Sequence, residues 1–171
     1  PIIIVRDKEN RIRAYYNTCR HRGAPLVEKE QGETKGFFCR YHGWTYDLSG
    51  RLTAVREKRD FPGMDTSCFG LNEVRCEQFG NFVFINEDRQ AAPLLESLGP
   101  IPRHLENLGF DSIRHIASSS FEIACNVKIL LDAFLETYHL KSIHPQTVDR
   151  FLDSRGTYVR LWKDGNSMMC T

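Results

Sequence analysis

The sequence predicts an α+β fold in two parts: a small all-β unit of antiparallel sheets, then a unit that combines a helix with more strand. Three observations carry this. From Ile2 to Ile85 the apolar residues alternate, or run in short β-branched and aromatic stretches, between clusters of Asn, Asp, Gly and Pro. Between Asn86 and Phe110 the pattern changes, with Pro93, Pro100 and Pro102 cutting the chain into short pieces. From Asn126 to Leu140 the apolar spacing takes the helical period. The expected division is 1–86 for the β unit, 87–111 for a connecting segment and 112–171 for the second unit. Pro1 stands where a Met would open a full chain and a strand begins at once, so the chain reads as a piece lacking both ends.

The elements follow in order. Ile2 to Val5 is β-branched and Arg11 to Tyr16 alternates, with the polar turn Asp7-Lys-Glu-Asn10 between them, so the two are expected to pair as a hairpin. Phe37-Phe38 delivers the loop over 39–43, and Trp44-Thr-Tyr46 leaves it. Asp47-Leu-Ser-Gly50 is a turn before a strand at Arg51 to Val55, and Arg56 to Ser67, with Pro62-Gly63, is a loop. Leu71 to Cys76 alternates, and Asn81-Phe-Val-Phe-Ile85 is a continuous apolar strand. Leu94-Leu95-Leu98 and Leu105-Leu108 mark two short amphipathic pieces. Strand is expected at Ile113 to Ala124, then a helix from Asn126 to Leu140 with Asn126 as its cap. Thr157 to Trp162 and Ser167 to Cys170 are expected to pair over Lys163-Asp-Gly-Asn166.

Composition bounds the function. In 171 residues, 41% hydrophobic and 26% charged content is that of a soluble globular protein. The net charge of +1 gives no reason to expect nucleic acid. No apolar run is long enough to span a membrane, and Ile2-Ile3-Ile4-Val5, short and without a basic flank before it, is not expected to be a signal peptide. Six cysteines are too few for a disulfide scaffold. Cys68, Cys76, Cys125 and Cys170 have no spacing pattern and are expected as reduced, buried thiols. The cytoplasm is the expected compartment.

The chemistry lies in two mixed pairs, Cys19-Arg-His21 and Cys39-Arg-Tyr-His42, with 17 residues between His21 and Cys39. Residues two apart do not share a helical face, so both pairs belong on turns, as Gly23, Pro25 and Gly43 also require. Two thiolates and two imidazoles split evenly between two loops are the ligand set of a Rieske-type [2Fe–2S] cluster, with two Cys on one iron and two His on the other. A structural zinc site can use the same residue types. It usually spaces them as Cys pairs and His pairs, so the mixed pairs here fit it poorly.

A second constellation lies on the predicted helix. Val127, Leu130, Leu131, Phe134 and Tyr138 fall on one face, which is expected to be core. Lys128, Asp132, Glu136 and His139 fall opposite, where a solvated stripe of charge pairs is the plainer reading. His139 and His144 lie about 140° apart around a continuous helix. They can share a metal only if the helix ends between them, and Pro145 favours such an end. Two His with one carboxylate and open positions would then suit Fe(II) and O₂.

Cys19-Arg-His21-Arg22-Gly23-Ala24-Pro25-Leu26 and Cys39-Arg-Tyr-His42-Gly43-Trp44-Thr-Tyr-Asp47 resemble the two cluster loops of Rieske non-heme iron oxygenase large (α) subunits. Asn126-Val-Lys128 through Asp132, Glu136, Tyr138-His139 and His144-Pro145 resemble the mononuclear-iron motif of the same family. The resemblance implies a Rieske domain lacking its first strands, followed by the opening of a helix-plus-antiparallel-sheet catalytic domain. It implies Cys19, His21, Cys39 and His42 as cluster ligands and His139 and His144 as ligands of a mononuclear Fe(II). Glu136 takes the place of the acid that links the iron site of one subunit to the cluster of its neighbour. Ring-hydroxylating dioxygenases usually have Asp there, whereas members that oxidise quaternary ammonium compounds have Glu. Val127 stands where the family often has Trp, and Ala133 where it often has Asn. The family's third iron ligand, a carboxylate, lies far downstream, and Asp149 and Asp153 are too close to match it.

The implied activity is hydroxylation of a small organic substrate, an aromatic ring or a quaternary ammonium compound, by O₂. Electrons would come from a ferredoxin or flavin reductase. The implied assembly is a head-to-tail homotrimer, with or without small β subunits, and this piece alone is expected to be inactive. The competing function is a standalone Rieske-type electron carrier, which leaves His139 and His144 unexplained. Trp44 is expected to cover the cluster loops or simply fill the core. His104 and His115 are expected as structural or exposed, and Arg20 and Arg40 as solvated charges beside the ligands.

Overall fold

The computed structural model describes residues 1–153, 155–162 and 165–170, with the backbone alone of Cys170. Two compact units emerge, Pro1–Leu94 and Leu95–Thr171. In the first, β1 (Ile2–Arg6), β2 (Ile12–Tyr16), β6 (Glu73–Phe79) and β7 (Phe82–Asn86) form a four-stranded sheet in the order β1-β2-β6-β7. A second sheet contains β3 (Phe37–Phe38), β4 (Thr45–Tyr46) and β5 (Leu52–Ala54). Every pairing is antiparallel.

The β1–β2 hairpin sets Ile2 opposite Tyr16 and Arg6 opposite Ile12. Its turn is held by Asp7, whose carboxylate accepts from the Glu9 and Arg11 amides at 3.0 and 2.8 Å and from the Arg13 guanidinium at 2.9 Å. Arg11 adds an ion pair at 3.2 Å. These contacts, Arg13 foremost, hold the Asp7 carboxyl down at about 2 although the residue is buried.

The core of this unit lies between the two sheets. Ile3 and Tyr15 come from the first sheet, Phe37, Tyr46 and Leu52 from the second, and Leu48 and Leu71 from the loops. The Tyr15 ring meets Phe37 edge-on at 6.3 Å, and the Tyr15 hydroxyl donates to the Leu48 carbonyl at 3.2 Å. Cys19, Cys39 and Trp44 belong to the same cluster. The ligand loops are therefore continuous with the hydrophobic core rather than hung on its surface.

The apolar strand expected at Asn81–Ile85 forms as β7 at the sheet edge, with Phe82, Val83, Phe84 and Ile85 all exposed. Cys68 and Cys125, expected to be buried, are exposed, and Cys76 is half-buried; all three are free thiols. Cys68 sits on a short 3₁₀ turn at Thr66–Phe69 that has no buried residue, and Cys125 sits in the irregular stretch before a helix. Spacing alone carried no information about either packing.

The second unit contains α1 (Leu94–Leu98, which begins at the boundary), α2 (Ile101–Leu105), α3 (Val127–Phe134), α4 (Leu140–Ile143) and the β8–β9 hairpin of Tyr158–Leu161 with Ser167–Cys170. Lys163 and Asp164 of the expected hairpin turn lie outside the described residues. Ile113 to Ala124, expected as strand, forms no ladder among the described residues, leaving Ile116 and Phe121 largely exposed. β-branched composition favours an extended backbone, but a strand also needs a neighbour to satisfy its polar groups.

The helix expected over Asn126–Leu140 is shorter. Asn126 caps it, accepting from the Lys128 amide at 2.9 Å, but Leu135 leaves the helical region and the chain turns through Glu136 and Thr137. The face expected to be core is not covered by this unit. Phe134 is 73% exposed and Tyr138 95%, and Val127 and Leu131 are also exposed. Amphipathic period reveals which face seeks burial; what buries it must come from elsewhere in the chain or from a partner.

Candidate metal centres

Two turns of the same design hold the first four candidate ligands. In the first, the Cys19 amide donates to the Ala24 carbonyl at 2.8 Å and the Gly23 amide to the Cys19 carbonyl at 2.9 Å. In the second, Cys39 donates to Trp44 at 2.8 Å and Gly43 to Cys39 at 2.8 Å. Gly23 and Gly43 sit at φ of 73° and 74°, which explains why each turn has Gly four residues after its Cys. The His occupies the third position of one turn and the fourth of the other. Asn17 braces the first turn, its carbonyl oxygen accepting from the Leu26 and Val27 amides at 2.8 and 3.0 Å and its amide donating to the Val27 carbonyl at 2.6 Å.

The turns bring like with like. Cys19 and Cys39 are both buried, and the Cys39 thiol is close enough to help raise the Cys19 thiol, after burial. The His21 and His42 rings stand 4.5 Å apart between centroids. Two sulfurs on one side and two imidazoles on the other suit a two-iron cluster ligated by Cys on one iron and His on the other. Among the described residues, no three His, Cys, Asp or Glu side chains converge on a single ion position.

The local chemistry fits such a group. His21 Nδ1 is buried and, among the described residues, the one buried side-chain nitrogen or oxygen without a hydrogen-bond partner. A buried orphan of this kind calls for an explanation, and metal ligation supplies one. Burial, then the neighbouring His42 and Arg22, push the His21 imidazole below its ordinary pKa, toward the neutral form that ligates. Burial pushes the Cys19 thiol up, opposed by a hydrogen bond from Tyr46. Thiols held protonated by burial ionise on a metal, whose charge replaces the lost hydration.

Three residues around the site were not singled out as site residues by the sequence. Tyr46, fully buried, has its hydroxyl 3.3 Å from Cys19 Sγ and accepts from the Arg20 amide at 3.0 Å. Phe61, from the loop at 56–67, meets both His21 and Trp44 edge-on at 6.3 Å. Arg56 lies against the second turn, where a Cβ on Gly43 would touch its Cβ and Cδ at 3.5 and 3.6 Å. Tyr46 had a local signal, being an aromatic residue four positions after a ligand His. The loop residues had none, because only the tertiary fold returns them to the ligands. Trp44 does both things expected of it: it is buried in the core and stacks on His21 at 4.9 Å, with the rings 8° from parallel.

In the second unit, His139 and His144 flank α4, and their ring centroids lie 5.6 Å apart. The longer helix ends before both residues, not between them, and a single helical turn separates them. His144 leaves the helical region at φ −122°, ψ 39°, which lets its ring return toward His139. Glu136 lies outside the helix and bonds twice to His139: one carboxylate oxygen accepts from the backbone amide at 3.2 Å, and the other pairs with Nδ1. That pairing holds the Glu136 carboxyl below its usual range. A carboxylate on Nδ1 fixes the tautomer that leaves Nε2 for a metal. His139 and His144 thus fit two positions of an iron site with Glu136 supporting the first.

His115 is exposed and pairs with Ser118 at 2.7 Å, and His104 tilts on Trp162 at 5.8 Å. Arg40 is 82% exposed, 3.7 Å from Glu28.

Comparison with known proteins agrees with both halves of this reading. A family model described as the Rieske [2Fe-2S] domain matches residues 1–71, and one described as the ring hydroxylating alpha subunit catalytic domain matches 110–171. The large oxygenase component of the naphthalene 1,2-dioxygenase system of Pseudomonas putida is 42% identical over 108 residues, 61% of this chain and 24% of that protein. The glycine betaine monooxygenase oxygenase subunit of Chromohalobacter salexigens is 30% identical over 155 residues, 90% of this chain and 34% of its own. Among solved structures, the quaternary ammonium Rieske monooxygenase CntA with L-carnitine superposes with a TM-score of 0.77 at 29% identity, covering 84% of this chain and 42% of that one. Naphthalene 1,2-dioxygenase with indole gives 0.57 at 41% identity, covering 61% and 24%. The chain therefore spans between about a quarter and two-fifths of the length of these relatives.

Proposed function

We propose, for a chain that belongs to the Rieske non-heme iron oxygenase large-subunit family, that Cys19, Cys39, His21 and His42 hold a [2Fe–2S] cluster and that His139 and His144 ligate a mononuclear Fe(II). The observation that carries this is the pair of matched turns with His21 Nδ1 buried and unpartnered between them. Residues 1–86 are read as the cluster domain, 87–111 as the connection and 112–171 as the opening of the catalytic domain. The third, carboxylate ligand of the iron is assigned outside this chain.

When bound, the two metal groups supply electron storage and O₂ activation for hydroxylation. The chain's own residues prepare both places. Asn17 and the two Gly-containing turns fix the ligand backbones. Tyr46 donates to the Cys19 sulfur, and Trp44 and Phe61 exclude water from His21. Glu136 orients His139 and presents its Nε2 outward. In a head-to-tail homotrimer Glu136 would also couple this site to a neighbour's cluster. A ferredoxin or flavin reductase in the cytoplasm is the assigned electron source; no helix among the described residues is long and apolar enough to cross a membrane.

The substrate class favoured is a quaternary ammonium compound. Specificity belongs to the catalytic domain, and the relatives whose likeness continues into residues beyond the cluster domain include glycine betaine monooxygenase and CntA, which cover 90% and 84% of this chain, beside the biphenyl 2,3-dioxygenase alpha subunit at 81%. The naphthalene dioxygenase match, higher in identity, covers only 61% of the chain. Glu136 in place of Asp agrees with this choice. A standalone electron carrier leaves the catalytic-domain match over 110–171 without a purpose.

The test is electron paramagnetic resonance of the dithionite-reduced protein, with iron, zinc and acid-labile sulfide measured on the same sample. A rhombic signal averaging below the free-electron g value, with iron and sulfide together, is the expected result. Zinc without sulfide would overturn the assignment.

A further inference from the structure

The second unit has little buried interior, and what it has lies beside His139. Among its described residues only Thr137 and Leu140 are buried, each 7% exposed. The apolar side chains around them do not anchor the segment: Phe134, Leu135, Tyr138 and Ile143 are all exposed. Thr137 is polar, and its hydroxyl is paired. Its Oγ1 lies 2.8 Å from Thr157 Oγ1, 20 residues further along the chain and immediately before β8.

The other hydrogen bonds of 136–144 are local. Glu136 bonds to His139, the Leu140 amide donates to the Thr137 carbonyl at 3.1 Å, and the His144 amide donates to the Leu140 carbonyl at 2.8 Å. The His144 carbonyl accepts from the Thr147 and Asp149 amides, each at 3.2 Å. Among the described residues, the hydroxyl pair is therefore the one hydrogen bond that joins 136–144 to a distant part of the chain. The local bonds hold Glu136, His139 and His144 to one another. They do not hold that group in place, and α3 has already ended at Phe134.

We propose that Thr137 is a positioning residue for the iron site, and that its bond to Thr157 sets the turn carrying Glu136 and His139 against the β8–β9 hairpin. The inference rests on the assignment of His139 and His144 as iron ligands. Thr137 follows Glu136 directly and precedes His139 by two residues, so a shift of its backbone moves both members of that pair. A hydroxyl pair is directional, whereas an apolar contact of the same shape is not. A buried hydroxyl left without a partner is destabilising, but replacing both partners by apolar groups of the same shape is nearly neutral. Positioning and stability can therefore be separated.

The test uses the full-length, cluster-loaded protein, stripped of mononuclear iron by a chelator and given Fe(II) alone. Iron affinity is read by competition with the chelator. The paramagnetic signal of the nitric oxide adduct of the bound Fe(II) is recorded with the cluster oxidised and silent. Thr137→Val should lower the Fe(II) affinity about tenfold, the low end for a group that orients a metal ligand from outside, and should shift or broaden the adduct signal. Thr137→Ser should restore both. Combining Thr137→Val with Thr157→Val should return the melting temperature to near the wild-type value while the affinity stays low. Wild-type affinity in Thr137→Val, or affinity that recovers together with the melting temperature in the double variant, would overturn the proposal and leave the pair a packing role. A wild type that takes up no Fe(II) beyond the two atoms of the cluster would remove the iron-site assignment itself, and this inference with it.

Discussion

The Tyr46 hydroxyl ties the hydrophobic core to the proposed cluster. It accepts from the Arg20 amide and so directs its own proton at Cys19 Sγ. A hydrogen bond to a thiolate ligand stabilises the reduced, more negative cluster more than the oxidised one, and such bonds are among the determinants of cluster potential. Tyr46→Phe keeps the ring in the core and removes only the donor. One net hydrogen bond of about 0.5–1.5 kcal/mol corresponds to roughly 20–60 mV for a single electron. The variant should show a lower reduction potential by that order in a spectroelectrochemical titration, with the cluster signal otherwise intact. An unchanged potential would mean that Tyr46 serves packing alone. Asp7, far from the ligands in role, allows a signed pH prediction. Its carboxyl lies at about 2 in the folded chain against an ordinary 3.8, held there by Arg13 and Arg11. The ionised form therefore stabilises the fold fully above about pH 4, and that contribution disappears as pH falls toward 2. Asp7→Asn should melt lower than wild type near neutrality, with the gap closing between pH 4 and 2. A gap independent of pH would show that the turn needs the side chain's shape and not its charge.

Among the elements, the first ligand turn depends most on a single side chain. Asn17 satisfies two amides and one carbonyl of the segment that returns past Cys19. Asn17→Ala leaves these groups half-buried without partners, at a cost of about 1–3 kcal/mol for each that water does not reach. Release of iron to a chelator should become several-fold faster in Asn17→Ala. Asn17→Asp, which keeps the two acceptor bonds, should fall between the variant and wild type. This brace was not readable from the sequence, because its partners lie 9 and 10 residues away and nothing in the spacing marks them. The ligand pairs themselves were readable, because each side chain is placed by a turn only a few residues long. So were the antiparallel pairings of β1 with β2 and of β8 with β9, which rest on alternation and short connections. α3 separates the two kinds of information. Its cap at Asn126 and its apolar face were legible as local pattern. Its end at Phe134, its exposed Phe134 and Tyr138, and the release of Glu136 from the helix were not. Those outcomes depend on what packs against the helix, and the second unit supplies no cover for that face.

At the scale of the molecule, the two units place different demands on their metals. In the first, the candidate ligands are part of the core: Cys19 and Cys39 are buried in the same cluster as Tyr15, Trp44 and Tyr46. Without iron and sulfide, that core holds two thiols and an unpartnered imidazole nitrogen, so the free energy of binding the cluster is in part free energy of folding. In the second, His139 and His144 lie at the ends of a four-residue helix in a unit whose largest apolar side chains face solvent. Little of that packing depends on a metal. Cys39→Ser should therefore abolish the rhombic signal and the acid-labile sulfide, lower the melting temperature by several degrees and raise amide exchange across 17–46. His139→Ala should leave the signal, the sulfide and the exchange of 17–46 unchanged. It should remove only iron in excess of the two atoms per cluster, measured by metal analysis beside the sulfide assay. Loss of sulfide in His139→Ala would mean that the imidazole supports the cluster itself, and the assignment of two separate centres would then fail.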